Sequence, residues 1–413
     1  MRSKDGAPIA VEQALRILVQ AAEPFTETER VALADAWGRV LAEDVRADRD
    51  FPPTDRSAMD GYAVRSADAT TAGSVLRVIG EVRAGQSADV AVTPGTAVRI
   101  TTGAIVPAGA DAVAMVERTT TTDDGGSVRL HDAVSLGENV RGRAGEASRG
   151  DGILAPGSPI HAAEIGVLAS VGRARPQVFR RPAVCVLSTG DEVVSPDASG
   201  LADHQIRNSN VPALCAMLRE MGVEARDLGN ASDDRADLAE RVGAGLTGDL
   251  LLLTGGVSVG TYDLVAATLA AAGAERLFHG VAMKPGKPVL AARRGACLAI
   301  GLPGNPVSAC TVFAVLVAPA LRRRMGLSRW DNAVVTAMLD EPLDVKPGRA
   351  TYHLARLDPS HGRFRARTAR SRGSGDVLSM ARANAWLITP AEGGKFPAGA
   401  ELPALPWRDY QLR

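Results

Sequence analysis

The clearest hydrophobic pattern in the chain is residues 250–263, which read LLLLTGGVSVGTYD. Four consecutive leucines are typical of a strand that is buried on both faces, as in a parallel sheet. Thr254 and the glycines after it end this run, and apolar side chains from Leu264 to Leu269 then recur with helical spacing. The pattern predicts a strand, a glycine-rich turn and the first turn of a helix.

Two interpretations of this glycine-rich turn remain open. In the first, Gly255, Gly256 and Gly260 leave the backbone bare enough for a phosphate to approach the amides of the first helical turn. Ser258 adds a hydroxyl donor. Because Asp263 repels a phosphate unless a cation bridges the two, this interpretation includes a divalent metal. In the second, the segment is only a tight strand-to-helix turn with an acidic residue in the first helical turn.

Residues 178–330 alternate strand-like and helix-like segments, with Asn210 as a candidate helix cap. This alternation predicts a doubly wound parallel sheet, whose ligands bind beyond the carboxyl ends of the strands. Besides the glycine-rich turn, two acidic clusters fall at such ends, one containing Glu192 and the other Asp233. Their convergence favours a nucleotide or phosphate site with one or more metals.

The other segments predict further domains. Residues 51–137 are rich in valine and threonine with closely spaced turns, which indicates an inserted β domain. This insertion separates residues 1–50 from residues 138–177, and these two segments are predicted to form one discontinuous domain. Residues 331–413 contain many prolines, glycines and short strand-like runs, which indicate a C-terminal β domain. The predicted fold class is therefore multidomain, α/β plus β.

Two polar positions of the inserted β domain have two possible roles. Asp60 precedes a glycine between apolar patches, and Thr102 follows a strand-like run. Both patterns are typical of turns. Their side chains also suit contact with a ligand.

The segment MKPGKP places Lys284 and Lys287 in a short loop stiffened by two prolines. A rigid pair of cations is costly to hold together unless an anion joins them, although solvated lysines are the alternative. Residues 301–308 form a second stiff turn, which opens onto a helix N-terminus suited to an anion. Two anion-binding devices in one domain, one beside carboxylates, indicate chemistry that joins two anionic reactants.

Composition limits the partners and the compartment. Lys plus Arg and Asp plus Glu number 47 each, so no global field attracts nucleic acid or an anionic membrane. The four cysteines lie far apart without a C-x-x-C pair, which is typical of buried thiols in a reducing cytosol. The longest apolar segment, residues 309–321, is shorter than the roughly 20 residues that cross a bilayer. We expect a cytoplasmic protein with no nucleic-acid or membrane partner.

Seven motifs carry a resemblance to a known family. In chain order they are SAMDGYAVR, RITTGA, STGDE, TGGVSVGTYD, MKPGKP, GLPGNPVSA and GSGDVLSMARAN. Their order and spacing resemble those of the molybdopterin molybdenumtransferases, the MoeA and gephyrin E-domain family, over essentially the whole chain. The resemblance implies four domains, of which the discontinuous one is elongated and the α/β one is similar to molybdopterin adenylyltransferases. It also implies a homodimer.

The reaction implied by the resemblance transfers molybdenum from molybdate to adenylated molybdopterin and releases AMP in a Mg²⁺-dependent step. A molybdopterin adenylyltransferase is a further implied partner. The residues expected to act in catalysis are Asp60, Thr102, Glu192, Asp233 and Asp263, with Asp233 and Asp263 as metal ligands. The residues expected to bind substrate are Gly255, Gly256, Ser258, Gly260, Lys284, Lys287, Ser308 and Ser374.

The chain departs from the family pattern at three positions. Ala147 stands where an acidic residue is expected, Gly280 where many relatives carry a basic residue, and Leu354 near a position that is often arginine. These departures leave two alternatives beside the molybdenum insertase. One is a diverged paralogue with altered metal use, such as tungstate, and the other is a binding scaffold without turnover.

Overall fold

The structure is a computed structural model that describes residues 7–122, 124–256 and 264–407. The chain divides into two compact units. The larger unit comprises Met1–Ala42, Pro156–His161 and Pro176–Arg413, and the smaller unit comprises Glu43–Ala155 and Ala162–Arg175. The boundaries of the four expected domains remain a prediction.

A six-stranded sheet in the larger unit is built around the predicted leucine strand, Leu250–Thr254. Alternate side chains of this strand pack into two different hydrophobic cores. Leu250 and Leu252 lie in one core, and Leu251 and Leu253 lie in the other. All four are at most 3% exposed, which is why the strand is leucine throughout. In order across the sheet, the strands are Ala225–Ala231, Val184–Thr189, Leu250–Thr254, Cys297–Leu302, Leu290–Arg294 and Glu275–His279.

The sheet is parallel over its first four strands and antiparallel at the other edge. The antiparallel edge corrects the prediction from sequence, which is a parallel sheet throughout. Only Gly295 and Ala296 separate Leu290–Arg294 from Cys297–Leu302. A parallel crossover needs a dozen or more residues, whereas two residues close an antiparallel hairpin.

Helices cover both faces of this sheet. Asn210–Glu220 and the helical run Pro306–Arg324 pack on one face, and Arg235–Gly245 and Leu264–Ala271 pack on the other. The run consists of Pro306–Val312, a π-helical segment Phe313–Val317 and Ala318–Arg324. It is the one helix in the described part of the chain that is long and apolar enough to cross a membrane, but 83% of it is buried. This burial is typical of a core helix.

A second sheet of the larger unit closes on itself as a five-stranded barrel. Its strands are Ala350–Ser360, Arg363–Thr368, Val335–Leu339, Glu401–Pro406 and Ala385–Thr389, and the last pairs again with the first. The short strand Met283–Lys284 adds to the barrel, parallel to the start of Ala350–Ser360. Buried Trp386 donates from its indole Nε1 to Thr311 Oγ1 at 2.9 Å, which fixes the barrel to the long helical run.

The remaining elements of the larger unit are short. Helix Val11–Ala21 packs in the same core as the long helical run, and helix Val377–Met380 lies in the chain between the barrel strands Arg363–Thr368 and Ala385–Thr389. The paired strands are Thr28–Arg30 with Gln177–Phe179, Val193–Val194 with Ile206–Arg207, and Leu343–Val345 with Gly394–Phe396.

The smaller unit contains its own six-stranded sheet. In order, the strands are Ala112–Met115, Gly61–Val64, Thr96–Ile100, Val75–Val82, Ser127–Leu130 and Thr119–Thr121. Two further strand pairs join Val45–Arg46 to Gly152–Leu154 and Arg56–Ser57 to Val140–Arg141. Its helix is Ala162–Ser170. The sheet has a hydrophobic cluster on each face, so strands such as Gly61–Val64 are buried along their whole length.

A buried ionic network connects distant segments of the larger unit. Asp249, just before the leucine strand, accepts two hydrogen bonds from Arg180, at 2.7 and 2.9 Å, and one from the N–H of Ala183 at 2.7 Å. Arg324 lies 3.5 Å from the same carboxylate, and both arginines stack on Phe25. Burial alone raises the pKa of the Asp249 carboxyl, but these hydrogen bonds and charges outweigh it and hold the pKa below its usual range.

Replacing Asp249 with Asn should destabilise the larger unit by about 3 kcal/mol, because it removes the counter-ion of buried Arg324 and one of the two acidic partners of Arg180. Asp249 contributes stability above its unfolded pKa, and this contribution is lost as the pH falls through the lower folded pKa. The difference in free energy of unfolding between variant and wild type, measured with urea, should therefore be constant near neutral pH and should shrink below about pH 4.

The matched control is Glu224→Gln, which removes the partner of Arg219 in an exposed pair. That change should cost no more than about 1 kcal/mol. An equal loss of stability in the two variants would contradict the assigned role of Asp249. So would a stability difference between Asp249→Asn and wild type that does not depend on pH.

Candidate functional site

The loop that carries Lys284 and Lys287 is held by backbone pairing on both sides. Before it, the N–H of Ile9 donates to the carbonyl of Gly280 at 3.1 Å, and the N–H of Ala282 donates to the carbonyl of Ile9 at 2.7 Å. Met283–Lys284 then pairs with Ala350 and Thr351 of the barrel. The lysine positions are thereby fixed by two segments that are far away in sequence.

Three cationic side chains line one cavity of about 580 Å³, which we call the cation cavity. They are Lys284, Lys287 and Arg349, and the described residues lining the cavity include no carboxylate. Nη1 of Arg349 donates to the carbonyl of Met283 at 3.1 Å, which holds the guanidinium beside the lysine loop. Like charges held together without a counter-ion repel, so the cavity favours an anionic ligand.

Ser308 and Ser374 also line the cation cavity, as the resemblance leads us to expect. Ser308 lies in the first turn of the long helical run, where the helix dipole favours negative charge. Ser374 is fixed there from the barrel side, because its Oγ accepts from Nδ2 of Asn305 at 2.8 Å and its carbonyl accepts from the N–H of Val307 at 3.1 Å. The structure therefore brings Lys284, Lys287, Ser308 and Ser374 together.

His353 completes the polar wall of the cation cavity. Its Nε2 lies 3.0 Å from Oγ1 of buried Thr389. Burial, and secondarily the positive charge of Lys284, lower the pKa of His353 to about 4. The imidazole is therefore neutral at physiological pH. Sequence reasoning missed both His353 and Arg349, although a basic residue within KPGR was a visible signal for the latter.

A second cavity, of about 510 Å³, lies at the carboxyl ends of the parallel strands and is called the strand-end cavity. Pro288, Pro303 and Asn305 line both cavities, so the two adjoin each other. The residues lining the strand-end cavity include Thr189, Glu192, Asn208, Asn210, Thr254 and Gly255. Ligand binding beyond strand ends is the expectation for this type of sheet.

The glycine turn lies tightly against Thr189. Gly255 and Gly256 have φ of +96° and +64°, in the left-handed region that favours glycine. A Cβ atom on either residue would lie within 3 Å of Oγ1 of Thr189. Both glycines are therefore required by the backbone. The predicted residues Ser258, Gly260 and Asp263 lie outside the described residues.

Asn210 does not cap its helix, contrary to the sequence prediction. Oδ1 of Asn208 accepts from the N–H of Val211 at 3.1 Å and takes that role. Nδ2 of Asn210 instead donates to Oγ1 of Thr254 at 2.6 Å and to the carbonyl of Gly304 at 2.7 Å. The Asn210 amide nitrogen is thus engaged within the protein, and the residue lines the strand-end cavity.

The acidic residues Asp191, Glu192 and Asp233 gather near the strand-end cavity, and Glu192 lines it. Oδ1 of Asp191 accepts from the N–H of Asp233 at 3.1 Å. Burial, followed by the negative charges of Asp191 and Glu192, raises the pKa of Asp233. No group of three or more carboxylate, histidine or cysteine side chains within residues 7–122, 124–256 and 264–407 is arranged to hold a metal.

Asp60 and Thr102 meet in the smaller unit. Oδ1 of Asp60 accepts from the N–H of Thr102 at 2.6 Å and from its Oγ1 at 2.9 Å. These hydrogen bonds, the backbone one first, hold the pKa of Asp60 below its usual range. The exposed Asp60 is therefore a carboxylate at neutral pH, with one oxygen not engaged by Thr102.

The structure shows the surroundings of the three residues that depart from the family pattern. Gly280 has φ +87°, so a basic side chain at this position would strain the backbone of the lysine loop. Leu354 is 5% exposed and gives the cation cavity an apolar wall. Ala147 pairs through its backbone with Phe51 in the smaller unit.

Comparison with known proteins identifies the family. Family models described as "MoeA N-terminal region (domain I and II)", "Probable molybdopterin binding domain" and "MoeA C-terminal region (domain IV)" match residues 9–172, 185–323 and 336–407. The chain is 36% identical to a molybdopterin molybdenumtransferase from Nostoc over 90% of this chain and 87% of that one. It is 33% identical to a molybdopterin molybdenumtransferase from Staphylococcus aureus over 95% of this chain and 94% of that one.

The fold agrees with these matches. The crystal structure of a molybdopterin biosynthesis MoeA protein from Pyrococcus horikoshii superposes with a TM-score of 0.83 at 28% identity, and the match covers 97% of this chain and 100% of that one. Sequence and structure thus agree over nearly the full length. The chain belongs to the molybdopterin molybdenumtransferase family.

Proposed function

We propose that this protein acts in molybdenum cofactor biosynthesis as a molybdopterin molybdenumtransferase, inserting molybdenum from molybdate into adenylated molybdopterin with release of AMP. The observation that carries the proposal is the contact between two unlike cavities. One is cationic and free of carboxylates among the described residues, and the other lies at the strand ends beside acidic residues. Adjoining sites of this kind suit a small oxyanion and a phosphorylated heterocycle.

The chemical difficulty of this reaction is electrostatic. Molybdate and the pyrophosphate group of the adenylated substrate are both anions and repel each other in water. Lys284, Lys287 and Arg349 would stabilise molybdate through charge-assisted hydrogen bonds, and Ser308 and Ser374 would orient it. Two dithiolene thiols can then replace one oxo ligand, whose oxygen leaves as water with the two thiol protons. Molybdenum stays in the same oxidation state.

Mg²⁺ is the proposed metal. The negative charges of Asp191 and Glu192 add to desolvation in raising the pKa of Asp233, which supports a divalent cation beside these carboxylates. Asp233 and Asp263 are the proposed ligands, and Asp263 lies outside the described residues. When bound, Mg²⁺ would neutralise the phosphate groups that the chain's own carboxylates repel. Asp60 and Thr102 are proposed to act in the same reaction.

The remaining proposals concern assembly and location. The four-domain organisation, the homodimer and a molybdopterin adenylyltransferase as partner rest on the family resemblance, and the cytoplasmic compartment rests on composition and cysteine usage. Light scattering of the purified protein tests the dimer directly. A mass of about twice 42.9 kDa supports it, and a single-chain mass contradicts it.

The central experiment measures AMP release from adenylated molybdopterin with Mg²⁺, adding molybdate, tungstate or neither. Release stimulated by molybdate, together with formation of active cofactor, is the expected result. Stronger stimulation by tungstate favours a paralogue with altered metal use. Binding of both substrates without release would contradict the transferase proposal and favour a scaffold.

Removing any one cation of the cation cavity should weaken molybdate binding. Lys284→Ala, Lys287→Ala and Arg349→Ala are each expected to raise the Kd for molybdate by about 10- to 100-fold, because each removes a charge-assisted interaction of about 1.5–3 kcal/mol. Calorimetric titration measures the effect. Lys346→Ala removes an exposed lysine that does not line the cavity and should leave the Kd unchanged. Unchanged binding in all three variants would rule out the cavity as the oxyanion site.

Neutralising Asp233 should stabilise the protein slightly in the absence of metal. An acid whose pKa is raised by folding destabilises the folded state above that pKa, and the penalty disappears as the pH falls through it. Asp233→Asn should therefore unfold at a slightly higher temperature than wild type at pH 7 and at an equal one near pH 4. Because the side chain is exposed, the gain is a few tenths of a kcal/mol.

Adding MgCl₂ at pH 7 should stabilise wild type more than Asp233→Asn. Asp203→Asn, an exposed aspartate outside the acidic group, is the control and should respond to Mg²⁺ as wild type does. An identical response of all three proteins would remove Asp233 from the proposed metal ligands.

A further inference from the structure

His353 lies where the barrel meets the lysine loop. It is on the barrel strand Ala350–Ser360, two residues after Thr351, which pairs with Lys284 across the short parallel ladder. Side chains two residues apart on a strand point to the same face, so His353 and Thr351 share a face. Both line the cation cavity, and the charge of Lys284 is near enough to lower the pKa of His353.

One ring nitrogen of His353 is held by the barrel. Nε2 lies 3.0 Å from Oγ1 of Thr389, which is fully buried, and within the described residues this hydroxyl has no other hydrogen-bond partner. A hydroxyl proton in the protein interior needs an acceptor, so Thr389 donates to Nε2 when the imidazole is neutral. The proton of the neutral imidazole is therefore on Nδ1.

The other ring nitrogen is open to the cation cavity. Nδ1 of His353 has no hydrogen-bond partner among the described residues, and it is not one of the buried polar atoms that lack a partner. It is therefore accessible to solvent, and the cation cavity is the space that the residue lines. An oxyanion in that space can accept a hydrogen bond from Nδ1–H.

The Thr389 hydroxyl also allows the imidazole to gain a proton. A hydroxyl is both a donor and an acceptor, so it can rotate and accept from Nε2–H of an imidazolium. In the empty cavity, burial and the charge of Lys284 oppose this and hold the pKa of His353 near about 4. Lys287 and Arg349 line the same cavity, and burial keeps the phenol of Tyr352 neutral by raising its pKa. Within the described lining, no carboxylate offsets these positive charges.

We propose that His353 takes up a proton from solvent when a tetrahedral dianion enters the cation cavity, so that four cations rather than three hold the bound anion. The added proton goes to Nε2, where Thr389 accepts it, and Nδ1–H donates to the anion. The two negative charges of the anion reverse the balance that keeps the imidazole neutral in the empty cavity. The inference rests on the proposed function for the identity of the anion, molybdate. It makes His353 a positioning residue whose charge depends on the ligand.

The direction of the pH dependence follows from this linkage. A bound dianion raises the pKa of His353 from about 4 to about 6.5 or above. Binding takes up a proton between these two values, so affinity rises as the pH falls through the upper one, by at most about 10-fold per pH unit. Above the upper value the imidazole is neutral in both states, and affinity no longer depends on its titration.

Calorimetric titration of the full-length protein with molybdate measures the proton uptake. In two buffers of different ionisation enthalpy, such as MES and Bis-Tris, the apparent binding enthalpies differ in proportion to the protons taken up. Wild type should take up at least about half a proton per molybdate near pH 6 and almost none near pH 8.

The key variant is His353→Gln, which keeps a neutral polar side chain that cannot take up a proton. It should show no uptake at either pH. Its Kd for molybdate should be within about 3-fold of wild type near pH 8 and about 3- to 10-fold weaker near pH 6. The matched control is His131→Gln, at an exposed histidine that does not line the cavity, and it should keep the uptake of wild type.

A second measurement needs no substitution in the cavity. NMR titration of the His353 ring protons in wild type, with and without saturating molybdate, should show the midpoint moving upward from about 4 when the anion binds. A midpoint that does not move overturns the proposal.

The outcomes separate this inference from the proposed function. Molybdate binding without proton uptake near pH 6, or uptake that persists in His353→Gln, would overturn the inference. Molybdate-stimulated AMP release without proton uptake would do the same and leave the proposed function standing. Proton uptake that His353→Gln abolishes, without any AMP release, would overturn the proposed function and leave this inference standing.

Discussion

The candidate site depends on holding three cations close together with no carboxylate among the described residues around them. Lys284, Lys287 and Arg349 repel one another, so contacts other than ion pairs must fix them. Backbone hydrogen bonds from Ile9 and from the barrel strand Ala350–Ser360 supply that constraint. Burial of aromatic and aliphatic side chains between the barrel and the long helical run stabilises the arrangement.

The two cavities differ in electrostatic character, since three bases and no described carboxylate line the cation cavity, whereas both Glu192 and Arg207 line the strand-end cavity. The strand-end cavity lies beside Asp191, Glu192 and Asp233, and desolvation together with the charges of the first two raises the pKa of Asp233. The cation cavity is lined by bases and by a histidine that burial keeps neutral. Pro288 from one loop, and Pro303 and Asn305 from another, line both cavities.

Much of this site was predictable because its motifs are local. A strand of four leucines, the glycine turn and the KPGK loop each contain their own signal, and Lys284, Lys287, Ser308 and Ser374 do meet in one cavity. Arg349 and His353 were missed because the register of Met283–Lys284 against a strand more than 60 residues later decides their position. Asn210 was mistaken for a cap because two distant acceptors, Thr254 and Gly304, orient its amide. Such choices depend on tertiary contacts, which a local pattern does not record.

The pairing of Met283–Lys284 with Ala350–Thr351 also has a consequence for the order in which the protein is made. When a ribosome has released the α/β sheet, the strand that completes the lysine loop has not yet been synthesised. The barrel closes only when Ala385–Thr389 and Glu401–Pro406 have also emerged. A nascent or prematurely terminated chain therefore has both lysines but no enclosed place for an oxyanion. Formation of the complete cation cavity thus requires the barrel strands as well as the lysine loop.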